Sequence, residues 1–145
     1  TVGILLGIDN NNNVWILDVN RGQYDTFTRD RTILQCAILD GKDTPILIPQ
    51  DPGQAGVSQK RYFHKLLVGY NIISKPVTGS KEIRASPFSS SVNGGMLKMV
   101  KDNWNRILLE EMRTFPSGKH DDCVDAMSDG YNFIFTRLNK TFTAA

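Results

Sequence analysis

The sequence predicts an α/β domain in which a mixed β-sheet is covered by helices on both faces. After an opening hairpin, strand and helix patterns alternate in the order β, β, α, β, α, β, β, α, α. The chain has 145 residues, of which 40% are apolar and 22% are charged, and this is typical of one compact domain with its own core. We therefore expect residues 1–145 to form a single domain.

The first half of the chain predicts a hairpin, a helix and a buried strand. Two apolar runs rich in β-branched residues, 2–8 and 14–20, flank an Asp/Asn segment that favours a tight turn. Apolar residues at helical spacing follow over 28–39, and the continuous apolar run 44–49 indicates a buried strand. One Pro and two Gly in QDPGQAG (50–56) predict a tight loop after that strand.

The second half predicts two further strands and three further helices. A Ser- and Gly-rich segment with Pro87, residues 79–95, interrupts them and predicts a loop or a mobile arm. The other elements are expected as a helix over 57–68, a strand over 71–77, a short strand over 96–100, and helices over 104–113 and 121–138.

Charge is distributed unevenly along the chain. Residues 57–101 contain eight basic residues and one acidic residue, a balance of +7 within a chain whose net charge is +2. The remainder therefore carries −5. A basic segment beside an acidic cluster suits a phosphate backbone held next to metal ions, and the alternative is an ordinary solvated surface.

Several classes of protein are disfavoured by composition. The sequence contains no apolar run long enough to cross a membrane and no basic segment ahead of an apolar run at its start, so we expect no membrane partner and a cytoplasmic location. The two cysteines, Cys36 and Cys123, lie far apart in the sequence, as do the two histidines, His64 and His120, which disfavours a zinc site or a disulfide framework.

An acidic cluster marks the start of the last predicted helix. His120, Asp121, Asp122, Asp125 and Asp129 fall within ten positions. Helical spacing places Asp122, Asp125 and Asp129 on one face, where like charges destabilise a helix unless a positive charge lies between them. Hard divalent cations such as Mg²⁺ are one source of that charge, and Asp51, at the end of a predicted strand, could contribute a further ligand. The alternative is a solvated helix whose first carboxylates cap its free amides.

Three segments resemble a known family. They are QDPGQAG (50–56), GSKEIRASP (79–87) and NWNRILLEEMRTFPSGKHDDCVDAMSDG (103–130), and in this order they resemble the C-terminal nuclease domain of the large terminase subunit of tailed bacteriophages. The resemblance spans nearly the whole chain, and the FPxGxHDDxVDA string is its most specific part. It implies a ribonuclease H-like fold that uses Mg²⁺ or Mn²⁺, in a two-metal site, to cut concatemeric viral DNA during genome packaging.

The resemblance also implies roles for individual residues. The catalytic, metal-binding positions would be Asp51, Asp122 and Asp125. Asp51 matches the family's acidic residue at the end of its central strand. Asp122 and Asp125 are both kept because the family varies in which aspartate of the HDDxVDA string is the ligand. The residues that surround and support these ligands would be His120, Asp121 and Asp129. Contacts to DNA are expected from Lys60, Lys81 and Arg84, and Gly53 and Gly56 would shape the loop beside the metals.

The same resemblance implies partners and a setting. The partners are double-stranded DNA and, in the intact family, the terminase ATPase domain, the small terminase subunit and the portal. The setting is the cytoplasm of a bacterial host cell, for a phage or prophage protein. The chain itself is not expected to be the motor, because GQAGVSQK lacks the spacing of a phosphate-binding P-loop.

The sequence departs from the family pattern in one respect. The family's first catalytic aspartate lies on a strand that precedes the equivalent of the 2–20 hairpin, and neither Asp9 nor Asp18 matches its place. We therefore expect weak or absent cleavage by this chain alone, unless another polypeptide supplies the strand. The main alternative is a non-catalytic DNA-binding or assembly module, which could form a homo-oligomer through an exposed sheet edge. A different ribonuclease H-like nuclease, such as a junction resolvase, is a third interpretation.

Overall fold

The protein is described by a computed structural model that covers residues 1–142, with the helical backbone alone described for residues 138–142. The elements in this part of the chain are β1 Val2–Ile8, β2 Val14–Arg21, α1 Thr26–Asp40, β3 Ile46–Gln50, α2 Gln54–Leu66, β4 Ile72–Pro76, α3 Lys81–Asn93, β5 Leu97–Met99, α4 Asn105–Thr114 and α5 Asp122–Phe142. None of the helices that the structure describes is long and apolar enough to cross a membrane.

The chain divides into two compact units. The middle unit is Gln23–Thr78, and the hairpin unit combines residues 1–22 with the chain from residue 79 onward. Each unit has its own sheet: β1, β2 and β5 form one, and β3 and β4 form the other. The assignment of residues 1–145 to a single domain stays a prediction.

The sheet of the hairpin unit is mixed, as the sequence predicts. β1 and β2 are antiparallel, and β2 pairs with β5 in parallel. The register shifts between Leu5 and Leu6, so Leu17 of β2 has no partner opposite it. This bulge changes which residues of β2 face inward, and the buried positions are Val14, Ile16 and Val19 rather than a strict alternation.

The core of the hairpin unit lies between this sheet and three helices. Buried side chains from β2, α3, α4 and α5 form one cluster, which includes Ile16, Phe88, Leu108, Val124 and Met127. α5 also packs on β1, where a Cβ at Gly130 would lie 2.7 Å from Leu6 Cδ1. The helix comes close to the strand at this point because glycine has no side chain.

The turn between β1 and β2 is organised by Asp9. Its carboxylate accepts hydrogen bonds from the backbone N–H of Asn11 and Asn13, at 2.9 Å each, and from Trp15 Nε1 at 2.9 Å. These bonds, led by the one from Trp15, lower the pKa of Asp9 to about 2. Asp9 is therefore a structural residue of the turn.

Replacing Asp9 by Asn should destabilise the protein at neutral pH, because a neutral amide cannot accept all of these hydrogen bonds. The folded pKa lies below the ordinary value of 3.8, so the stabilisation is present above pH 3.8 and is lost as the pH falls through about 2. Urea unfolding at several pH values should show a difference from the wild type that shrinks toward pH 2. Asn10→Ala, in the same turn, serves as a control and should show no such pH dependence.

The middle unit contains a parallel strand pair and two helices. β3 pairs with β4 over Ile46–Gln50 and Ile72–Pro76, and α2 packs on β3. α1 begins after Asp25, whose side chain accepts the backbone N–H of Thr28. α2 begins at Gln54, earlier than the expected residue 57, because Gly53 caps it and the second half of QDPGQAG is already helical.

The prediction of a loop over 79–95 is wrong, because Lys81–Asn93 is helical. Ser80 caps this helix by accepting the backbone N–H of Ile83 at 3.3 Å. Pro87 lies inside the helix, and packing of Ala85, Phe88 and Ser91 compensates for its missing N–H. α3 lies against α5, so tertiary packing outweighs the low helix propensity of the segment.

Candidate functional site

The start of α5 is held by a buried carboxylate that the sequence did not reveal. Glu111 of α4 is 5% exposed, and its Oε1 accepts the backbone N–H of Cys123 at 2.5 Å. A carboxylate at this place satisfies a free amide and complements the positive end of the helix dipole. Helical spacing could have indicated that Glu111 is buried, because it follows the apolar Leu108 by three residues and therefore lies on the same face of α4.

Cys123 is buried beside this carboxylate. Burial, followed by the negative charge of Glu111, raises the pKa of the Cys123 thiol to about 12. The thiol is therefore protonated at neutral pH, and it is neither a metal ligand nor a nucleophile in this state.

Two basic residues of α3 neutralise the acidic side of α5. Lys81 Nζ lies 2.6 Å from Asp121 Oδ2 and 2.8 Å from Asp125 Oδ2. Arg84 continues the row, with one terminal nitrogen 2.8 Å from Asp125 Oδ1 and the other 3.0 Å from Asp129 Oδ1. Bases three residues apart on α3 thus alternate with acids four residues apart on α5.

The helical spacing of Asp122, Asp125 and Asp129 is as expected, and the arrangement adds Asp121 to this acidic side. The row that carries the counter-charges is Asp121, Asp125 and Asp129, because positions four apart lie along one line of the helix, and Asp122 is not part of it. The hydrogen bonds to Asp121 and Asp125 raise the pKa of Lys81 above its ordinary value. Burial raises the pKa of Asp129, and Arg84 opposes part of that rise.

Arg84 is the better protected of the two bases. Its side chain is 13% exposed, whereas that of Lys81 is 46% exposed. In addition, the side-chain amide of Asn132 donates a hydrogen bond to the backbone carbonyl of Arg84. Both terminal nitrogens of Arg84 are used by aspartates, so the geometry favours a structural counter-charge. Its expected contact with DNA stays a prediction.

Replacing Arg84 by Met should lower the free energy of unfolding by about 2 kcal/mol, because Asp129 would keep a half-buried charge without its partner. Lys81→Met is the matched comparison, and its effect should stay below about 1 kcal/mol because an exposed ion pair contributes little. Urea unfolding of both variants measures the difference. Equal losses would contradict the distinction between a protected and an exposed base.

Asp122 differs from its three neighbours. It is exposed, and in the part of the chain that the structure describes it has no ion pair or hydrogen bond through its carboxylate. Its position is the first residue of α5. Among the aspartates of the cluster, Asp122 is therefore the one whose oxygens are available to an added ligand.

Asp51 lies in the middle unit, directly after β3. It is exposed, and its carboxylate has no ion pair or hydrogen bond among the described residues. The backbone around it is tightly constrained: Gly53 has φ +88°, and a Cβ on Gly56 would lie 1.9 Å from the Asp51 carbonyl oxygen. The two glycines therefore allow the turn that leads from Asp51 into α2.

The remaining candidate residues are exposed. His120 lies just before the cluster in the hairpin unit, and Lys60 lies on α2 in the middle unit. The structure thus brings together Lys81, Arg84, Asp121, Asp125 and Asp129 on the facing sides of α3 and α5. The meeting of Asp51 with the start of α5 stays a prediction.

The chemistry of the exposed carboxylates fits a hard divalent cation. Mg²⁺ takes oxygen ligands, and it usually needs only one or two protein carboxylates, with water and substrate phosphates completing its shell. Among the residues that the structure describes, no three His, Cys, Asp or Glu side chains are grouped to hold a metal ion.

The mixed α/β fold is consistent with a ribonuclease H-like domain. Within that class, the chain belongs to the family described as the terminase RNaseH-like domain, whose family model matches residues 15–133. That family associates the chain in general with metal-dependent nucleases, with DNA and with packaging partners. No curated protein and no solved structure matches the chain.

Proposed function

We propose that the protein is the metal-dependent endonuclease domain of a phage or prophage large terminase subunit, which cuts concatemeric viral DNA during genome packaging. The observation that supports this most directly is the pair of exposed, unpaired carboxylates, Asp51 and Asp122, in a chain of the terminase RNaseH-like family. Each lies at the end of a regular element, where its position is held by the local backbone.

In this proposal Asp51 and Asp122 hold Mg²⁺ or Mn²⁺. When bound, the cation supplies positive charge that stabilises the negative charge developing on a phosphodiester group. Asp125 remains a third candidate ligand, although it would have to exchange its contacts with Lys81 and Arg84 for the cation. The unpaired state of Asp122 makes it the favoured ligand of the two.

The ion-pair row of α3 and α5 has a supporting role. Lys81 and Arg84 pair with Asp121, Asp125 and Asp129, while Asp122 stays exposed. In this proposal the pairing orients the start of α5, which reduces the reorganisation that ligand binding requires. Lys60, which is exposed on α2, is a further candidate contact to a DNA phosphate beside Lys81 and Arg84.

The alternative function is a non-catalytic DNA-binding or assembly module, and one observation favours it. β1 is hydrogen-bonded to β2 and to no other strand among the described residues, and its sequence VGILLGI has neither a charge nor a proline. Edge strands usually carry such residues to prevent pairing with other chains. A second copy of the chain could therefore pair along β1.

Cleavage of supercoiled plasmid DNA separates these functions. Because neither Asp9 nor Asp18 matches the family's first catalytic aspartate, we expect only weak Mn²⁺-dependent nicking by the wild type, none in EDTA, and none by Asp51→Ala. Binding to DNA would be followed in parallel at several salt concentrations. If neither protein cuts while both bind DNA in a salt-dependent way, the endonuclease proposal is wrong and the binding module stands.

A further inference from the structure

A cleft in the hairpin unit lies outside the acidic row, and its lining includes three permanent cations. Its volume is about 470 Å³, within the range of roughly 300–1,000 Å³ that is usual for sites that hold a small ligand. Its ionisable lining residues are Arg21, Arg106, Lys119, His120, Glu110 and Glu111. They come from the end of β2, from α4 and from the segment that leads into α5.

The positive groups of the cleft are largely uncommitted. Arg106 and Lys119 are exposed and have no ion pair or hydrogen bond in the part of the chain that the structure describes. Arg21 lies 3.7 Å from Glu111 Oε2 through one terminal nitrogen, a separation that leaves its other donors available. Three permanent cations thus face one cleft.

The two glutamates weaken this field only in part. Glu111 is buried, and its Oε1 accepts a hydrogen bond from the backbone N–H of Cys123. This hydrogen bond at the start of α5 stabilises part of its negative charge. Glu110 is exposed at the cleft and opposes one cation. With three basic residues against two acidic ones, the cleft has a net charge of +1 while His120 is neutral.

We infer that this cleft binds a phosphate group of a nucleic-acid backbone. The guanidinium of Arg106 and the ammonium of Lys119, together with the remaining donors of Arg21, line one cleft and are suited to a phosphate, which accepts several charge-assisted hydrogen bonds at once. The volume leaves room for the sugar attached to that phosphate. The inference rests on the proposed function for its choice of a nucleic acid over a free phosphate, and it adds a contact point that none of Lys60, Lys81 and Arg84 provides.

The test compares two double variants with equal changes of charge. Arg106→Ala/Lys119→Ala removes the two free cations of the cleft, and Lys42→Ala/Arg113→Ala removes two exposed cations that neither line the cleft nor belong to the basic segment 57–101. Binding of a short DNA duplex would be measured in EDTA, with inorganic phosphate as a separate ligand. Backbone amide NMR signals of Gly118 and Lys119 would report on the cleft.

We expect the cleft variant to bind the duplex roughly tenfold more weakly. The slope of its plot of log K against log salt should become shallower by about 0.9 for each lost phosphate contact. The control variant should keep both the affinity and the amide shifts. Equal weakening in the two variants would overturn the inference. A response of these amides to inorganic phosphate and none to DNA would also overturn it, because the cleft would then serve a free phosphate.

This test is independent of the proposed cleavage. Binding in EDTA requires no metal ion, so a chain that fails to cut plasmid DNA can still show the cleft-specific loss of affinity. Conversely, an active nuclease whose affinity is unchanged in Arg106→Ala/Lys119→Ala would retain the proposed function and lose this binding site.

Discussion

Asp122→Asn is expected to weaken Mn²⁺ binding by at least about tenfold and to reduce metal-dependent cleavage by roughly a hundredfold or more. The substitution keeps the size of the side chain and removes the charge of Asp122, whose carboxylate has no ion pair or hydrogen bond with the residues that the structure describes. Isothermal titration with Mn²⁺ and a plasmid-cleavage time course provide the two measurements. Folding should be little affected, because Asp122 is exposed and makes no contact that the fold requires.

Asp121→Asn is the matched comparison for this prediction. It removes the same charge one residue earlier, where the carboxylate is paired with Lys81 at 2.6 Å. We expect the Mn²⁺ affinity of this variant to stay within about threefold of the wild type. The charge of Asp121 is already paired with Lys81, so its attraction for a nearby cation is weak and screened. If Asp121→Asn loses as much affinity as Asp122→Asn, the availability of the carboxylate does not determine which residue binds the ion.

Gly56→Ala is expected to destabilise the protein by about 3 kcal/mol or more. A Cβ at this position would lie 1.9 Å from the Asp51 carbonyl oxygen and 3.0 Å from Gln50 Cγ, and the first of these atoms belongs to the backbone. The turn from β3 into α2 would therefore have to move. Because the turn carries Asp51, Mn²⁺ affinity should fall as well, although no carboxylate has been removed.

Gly3→Ala controls for the general effect of replacing a glycine. No atom lies within 4 Å of a Cβ built on Gly3, and its φ is not in the left-handed region. Urea unfolding should show a change of less than about 0.5 kcal/mol for Gly3→Ala. A similarly small change in Gly56→Ala would contradict the close approach of α2 to the Asp51 backbone.

The sequence predicted the elements whose patterns are local. The hairpin of β1 and β2, the strands β3 and β4, and helices α1, α4 and α5 follow from apolar spacing and from capping residues, and their observed bounds differ mainly at the ends. The sequence did not reveal the bulge at Leu17. Leu17 and Asp18 both face outward because of the way β2 pairs with β1, and this pairing is not a local property of the β2 sequence.

The helical conformation of α3 could not be predicted from local propensity. Its segment combines serines with Pro87, and only the packing of Ala85 and Phe88 against neighbouring helices outweighs that composition. A longer-range signal was present: Lys81 and Arg84 are three residues apart, and Asp121, Asp125 and Asp129 follow at intervals of four. Two helices lying side by side would match these charges, but the sequence does not reveal which helices are neighbours.

The surroundings of the candidate site could not be read from the sequence for the same reason. Capping and charge repulsion drew attention to the start of α5, whose role as a metal site stays a prediction, while the counter-charges supplied by α3 and the buried Glu111 depend on tertiary contacts. The expected row of Asp122, Asp125 and Asp129 therefore omitted Asp121 and included the one aspartate that is unpaired. That difference is what makes Asp122 the favoured ligand.

The most direct test of the account is a double-mutant cycle on Mn²⁺ binding with Asp51→Asn, Asp122→Asn and the combined variant. If both carboxylates hold the same ion, each single variant loses most of the affinity, and the double variant loses much less than the sum of the two free-energy changes. Independent losses that add within about 0.5 kcal/mol would show that the two residues bind separately and would contradict the proposed metal site.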